Sequence, residues 1–150
     1  MKVLSILAAG LFLISCANTR ETTPIVEEQD GNKPGRNITL KATIGEFKKS
    51  DAFEVTRVKL EGNTLYLMVA YSGGCSDHTF EMIGSMAMMK SLPPKRSIQL
   101  VHDAHDDTCR EWIEKTLEID ISELAPKQEH GSTVVLILDG YDQELTYTFE

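Results

Sequence analysis

Four residues in the middle of the chain carry side chains suited to chemistry. Cys75 and His78 stand as Cys-x-x-His, and His102 and Cys109 follow with six residues between them. Two thiolates and two imidazoles form a tetrahedral set of the kind zinc takes. The first pair has half-site spacing; the second is looser than usual zinc pairs. Soft thioethers at Met68, Met82, Met86, Met88 and Met89 would extend a metal site to copper, although methionines in strands also fill gaps in a core. A thiol enzyme or redox protein would use Cys75 as nucleophile with His78 or His102 as base. Cys109 at a helix N-terminus would have a lowered pKa if it were free. Asp103, Asp106 and Asp107 are hard oxygen donors for calcium, but their spacing fits no EF-hand loop. The same two cysteines can also bond to each other. No Gly-rich phosphate loop, nucleophile elbow or paired-carboxylate pattern occurs.

The elements that must position these residues read as strands. From Asn37 to Glu150 the apolar period is two rather than 3.6. Ile38, Leu40, Ala42 and Ile44 alternate with polar residues. Phe53 and Val55 alternate, and then the phase shifts to Val58 and Leu60, which predicts a bulge near Thr56-Arg57. Leu65, Leu67, Val69 and Tyr71 form one face of the next strand and Tyr66, Met68 and Ala70 the other, so that strand is expected to be central and covered on both sides. Gly73-Gly74 breaks the chain. His78, Phe80 and Met82 share a face of the following strand. Gly84 is expected to interrupt it, and Met86 to Met89 to continue it as far as Leu92-Pro93-Pro94. Further alternation covers Ile98 to His102, Leu117 to Ile121, Val134 to Leu138 and Leu145 to Phe149. On this phase His78 and His102 point inward, as hydrogen-bonded structural histidines do. Thr108-x-x-Glu111 has capping-box spacing, and Ser122-Glu123-Leu124 can make one turn.

About seven or eight short strands without an amphipathic helix predict an all-β domain. The expected architecture is an antiparallel β-sandwich, immunoglobulin-like in size, with a small β-barrel as the alternative. A chain of 150 residues, 41% hydrophobic and 25% charged, suffices for one domain with a real core. The net charge of −8 argues against a nucleic-acid partner and against a polybasic hold on lipid.

Met1-Lys2 and the apolar run from Val3 to Ile14 read as a signal peptide, too short for the roughly 20 residues of a membrane span. The run ends in Leu13-Ile14-Ser15-Cys16, which resembles the lipobox of bacterial lipoproteins. That resemblance implies cleavage before Cys16 and lipid on its sulfur. Several acyl chains would hold the protein stably on a membrane. Ala17 follows the cysteine, and by the sorting pattern of such lipoproteins this implies the outer membrane, facing either the periplasm or the surface. Residues 16–36 are then a tether, rich in Thr, Glu, Gly and Pro and with too little apolar surface to fold, and residues 37–150 are the domain. Tyr71-Ser72-Gly73-Gly74-Cys75-x-x-His78, with His102 and Cys109, also resembles a pattern in uncharacterised secreted bacterial proteins; this implies the location and the cysteine pairing but no activity.

If Cys16 carries lipid, Cys75 and Cys109 remain in an oxidising compartment, where an even number favours a disulfide. Bridging them closes a loop of about 34 residues, which the chain-entropy estimate values at roughly 3.5–4 kcal/mol. With the anchor that the lipobox resemblance implies, the expectation is a lipid-anchored envelope protein that serves as a non-enzymatic binding or assembly module for an unidentified protein or small molecule. The alternatives are a zinc or copper lipoprotein using Cys75, His78, His102 and Cys109, and a thiol-dependent enzyme.

Overall fold

The computed structural model describes residues 37–150. The expected signal peptide, Cys16 and the expected tether lie outside them. Nine strands form two facing sheets. They are β1 (Ile38–Lys41), β2 (Thr43–Gly45), β3 (Glu54–Glu61), β4 (Thr64–Gly73), β5 (Thr79–Ser85), β6 (Lys95–Asp103), β7 (Glu111–Asp120), β8 (Thr133–Leu138) and β9 (Glu144–Thr148), with one 3-10 turn at Ser122–Leu124. The first sheet has the order β1-β7-β4-β3 and the second β2-β5-β6-β8-β9. The fold is a β-sandwich and the barrel does not close. Among the described residues no helix is long and apolar enough to cross a membrane, which says nothing of strands.

The alternation places the core as expected. Leu65, Leu67, Val69 and Tyr71 of β4 face Ile98, Leu100, Leu136 and Tyr147 of the other sheet, all buried. At roughly 1.5–3 kcal/mol for each fully buried large apolar side chain, this inner layer is the main stabilising term. The bulge falls where the phase shift puts it, between Val55 and Arg57. Strand β4 is central, hydrogen-bonded to β3 and β7. Its outer face is half-covered at Tyr66 and Met68 and fully covered only at Ala70.

Two expectations need correction. The sheets are mixed: β1 with β7, β2 with β5, and β6 with β8 run parallel. Parallel neighbours need a crossover, and here the crossovers are changes of sheet, as where β7 intervenes between β6 and β8. Nor does β5 continue through the methionines. Gly84 lies within the strand, where a Cβ would come within 2.5 Å of Leu124 Cδ2, and the strand stops at Ser85.

Every connection between β4 and β5, and between β6 and β7, changes sheet at one end of the sandwich. The β5–β6 loop sits at the other end with the 3-10 turn. Residues 46–52 strap the outer face of the second sheet. Lys48 and Gln99 exchange two hydrogen bonds, Lys48 pairs with Glu81 at 2.6 Å, and the Asp51 amide donates to His102 O at 2.8 Å.

Candidate functional site

The two sheet-changing connections bring all four sequence-predicted residues together. Cys75 follows β4 and Cys109 precedes β7, and the two sulfurs are bonded, with Cα atoms 5.9 Å apart. The bond staples one inter-sheet connection to the other. His78, just before β5, and His102, on β6, sit beneath it on the inner side. Their rings stack with centroids 5.0 Å apart, and His78 Nδ1 lies 2.8 Å from His102 Nε2. The other nitrogen of His102, Nδ1, is 3.2 Å from Ala52 O. A carbonyl only accepts, so Nδ1 of His102 holds that ring's proton and Nε2 accepts from His78.

Asp107 is the centre of this end. Its carboxylate is completely buried. Oδ2 accepts from the amides of Cys75 and Ser76, both at 2.9 Å, and lies 3.2 Å from His78 Nε2; Oδ1 accepts from the Cys109 amide at 2.8 Å. One carboxylate thus holds the backbone of both bridged cysteines and one imidazole. Hydrogen bonds from Cys109 and then Cys75 keep its pKa well below the usual carboxylate range. His102 is shifted down from 6.5, first by burial and then by the adjacent His78.

An aromatic plug closes the space below. Tyr71, from the first sheet, stacks on His78 at 4.6 Å and approaches His102 at 4.9 Å. Phe80 stacks on His102 at 4.7 Å, and Phe53 meets it edge-on at 5.9 Å. Burial pushes the Tyr71 hydroxyl up. Gly73 makes the arrangement sterically feasible: a Cβ there would lie 2.4 Å from His78 Nε2 and 3.2 Å from Asp107 Oδ2. Gly74 supplies the turn, with φ of +114°.

The other sequence readings fare differently. The donor atoms that gather within 4.8 Å are the sulfurs of Cys75 and Cys109 and a carboxylate oxygen of Asp107. The two histidines of the zinc set turn nitrogens toward each other and toward Ala52 and Asp107 instead. The methionines of the copper reading are dispersed: Met82 is in the core, Met68 is on the outer face of the first sheet, and Met86, Met88 and Met89 are exposed on the β5–β6 loop. Asp103 and Asp106 are exposed while Asp107 turns inward. No helix follows Thr108; β7 starts at Glu111, so Cys109 has no helix N-terminus behind it, whereas the turn at Ser122–Leu124 forms.

Sequence reading missed three residues. Asp107 passed for a solvated carboxylate. Its signal is the spacing Asp-x-Cys, since an Asp that bonds the amide two residues on makes an Asx-turn; Asp120 does the same to Ser122 at 2.9 Å. Gly73 passed for a plain breaker. Arg96 is buried at the opposite end, donating to Ser85 O and, at 3.0 Å, to Leu124 O. Burial lowers its pKa, and the carbonyls take the place of a carboxylate partner.

Comparison with known proteins places the fold. No family model and no curated protein matches the chain. Several solved structures share the architecture, three of them as follows. A NigD-like immunity protein from Bacteroides caccae superposes with a TM-score of 0.60 at 15% identity over 75% of this chain. A putative toxin-related protein from Parabacteroides distasonis gives 0.50 at 17% identity over 73%. A protein of unknown function, DUF1344, from Bacteroides vulgatus gives 0.50 at 8% over 76%. The chain spans 65%, 61% and 56% of those proteins respectively. At such identities the likeness is one of fold.

Proposed function

We propose that this chain is a non-enzymatic binding module of the cell envelope, anchored to the outer membrane by lipid on Cys16 and stabilised by the Cys75–Cys109 bond. One observation carries the reading. Every group at the Cys75–Cys109 end that could do chemistry is already engaged by another group of the same chain. The sulfurs hold each other, Asp107 holds three amides, and the histidines hold Ala52, Asp107 and each other. A nucleophile needs a free thiolate and a base in reach of it, and both are committed to structure.

The partner is a protein or a small molecule. A fold shared with a structure described as a NigD-like immunity protein supports a binding role, and sandwich loops and edges are surfaces for one. The lipobox supports the anchor.

Intact-mass measurement of the purified protein tests the reading. Alkylation labels neither Cys75 nor Cys109 until a reductant is added, and the N-terminal peptide carries acyl mass on Cys16. A thiol labelled without reduction returns the chain to thiol chemistry. Stoichiometric zinc or copper in native spectra returns it to the metal reading, with Cys75, Cys109 and Asp107 as donors.

A further inference from the structure

Seven large apolar side chains remain exposed among the described residues. Six of them gather at the end away from the disulfide. Met86, Met88, Met89 and Leu92 are on the β5–β6 loop, with Met86 64% and Leu92 fully exposed. Ile44 lies on β2 opposite Gly84, two residues before the loop begins, and Phe47 opens the strap. Scattered exposed hydrophobics are ordinary, but a concentration of them marks an interaction surface.

The loop is held rather than loose. Arg96 ties its base to Ser85 O and Leu124 O. Met89 and Lys95 bridge across it, and Ser91 Oγ donates to Pro93 O at 2.7 Å. A loop fixed this way presents its methionines outward instead of folding them onto the body.

The chain has 23 acidic and 15 basic residues, yet the loop from Met86 to Pro94 contains Lys90 and no carboxylate. Lys49 stands two residues after Phe47, next to Lys48, which is paired with Glu81; at the base of the loop Lys95 is paired with Glu144 and Arg96 is buried on its two carbonyls. Exposed methionine and leucine beside lysines is the composition of a bilayer interface, where the lysine stem lies along apolar surface and the ammonium reaches the headgroups. The acidic body would be held away from an anionic leaflet, which orients this end toward it. A second copy of the chain fits less well, because a stable dimer needs roughly 800 Å² of matching surface per partner and four of these six groups belong to one short loop.

We propose that the β5–β6 loop, with Ile44 and Phe47, is a membrane-docking surface that seats in the interface of an anionic bilayer. This rests on the lipid-anchored reading and deepens it: the acyl chains keep the domain at the membrane, and the loop sets which way it faces. The partner-binding surface is then at the disulfide end.

The chain's single tryptophan supplies the control, because Trp112 lies near the disulfide end, opposite Ser72. Lipidated protein is reconstituted in vesicles containing phosphatidylglycerol and brominated phosphatidylcholine and recovered by flotation. The native protein, reporting Trp112, is compared with a Leu92→Trp, Trp112→Phe variant. The expected result is quenching of about half or more in the variant and almost none in the native protein, weakening severalfold when phosphatidylglycerol is omitted. If the double variant does not fold, Leu92→Trp on the native background reads the same quantity by difference. Protein that floats but leaves the Leu92→Trp probe unquenched overturns the docking surface while the anchor stands. Protein that does not float overturns both. A probe shifted to the blue by protein concentration without vesicles points to a second copy and also overturns it.

Discussion

At the end where β4 passes to β5, a disulfide, two histidines and a carboxylate are bonded to one another and sealed from below by Tyr71, Phe80 and Phe53. At the end where β5 turns back to β6, the methionines face solvent and the polar group inside is one arginine held by two carbonyls. Both ends solve the same difficulty, which is closing a sandwich whose inner layer must not see water. The first closes it with polar groups that satisfy one another completely; no buried side-chain polar atom among the described residues lacks a partner. The second closes it with a short turn and leaves apolar surface over. A polar closure is rigid but sensitive to whatever removes one member. An apolar loop tip is indifferent to single changes and available to something outside.

That contrast breaks first at the sulfurs. Reducing the Cys75–Cys109 bond, or replacing both residues by serine, removes a cross-link over a sequence separation of 34. The expected loss is roughly 3.5–4 kcal/mol, measurable as a lower urea midpoint with a somewhat steeper slope, because the denatured chain without its cross-link exposes more surface. An unchanged midpoint would mean that Asp107 alone holds the two connections together. Next in size is Gly73→Ala. The new methyl would meet His78 Nε2 at 2.4 Å, and a ring clamped by Tyr71, His102 and Asp107 has little room to move. Overpacking of this kind costs about 1–3 kcal/mol. The same change at Gly140, where no atom lies within 4 Å, meets only the strain of its φ of +76°.

Much of this was legible in the residue order, and the illegible part has physical causes. Strands appear as alternation because one face of each is buried, so Leu65 to Tyr71 and Val134 to Leu138 announce themselves. Alternation does not encode which strand lies beside which, so the parallel pairs of β1 with β7 and β6 with β8 left no trace in it. Methionine reads equally well as core or as surface, so the end of β5 at Ser85 was overrun. The cysteines and histidines of the site stood out as residue types. Asp107 did not, because an aspartate among aspartates looks like a solvated loop until three amides are found pointing at it.

Acid sharpens the comparison further. The Asp107 pKa is depressed, so its stabilisation is present above the ordinary carboxylate value of 3.8 and is lost as pH falls toward its folded value. His102 is also depressed, from 6.5, so the unfolded chain binds its proton first and stability declines as pH falls below that value. Both act in the same direction at the same end. Amide exchange at Cys75, Ser76 and Cys109 is expected to lose protection first as pH falls below 6.5, through His102, and then further below 3.8, through Asp107, before amides of β8 and β9 do. Loss of protection everywhere at once would mean that the two ends unfold as one.

The smallest effect is expected at the other end. Met88→Ser and Leu92→Ser change side chains that are 37% exposed and fully exposed. Little apolar surface returns to water, and the backbone bridge between Met89 and Lys95 does not use either side chain. Substitutions of this kind usually stay within about 0.5 kcal/mol. Arg96→Met is the informative counterpart, because it leaves Ser85 O and Leu124 O without their donor while preserving most of the buried stem. If Leu92→Ser is neutral and Arg96→Met is not, the loop's exposed tip is independent of the scaffold that presents it, as a surface reserved for a bilayer requires. If Leu92→Ser itself lowers stability by about 2 kcal/mol or more, a loss on the scale of a buried side chain, Leu92 is packed against the body in solution and the distinction between the two ends fails.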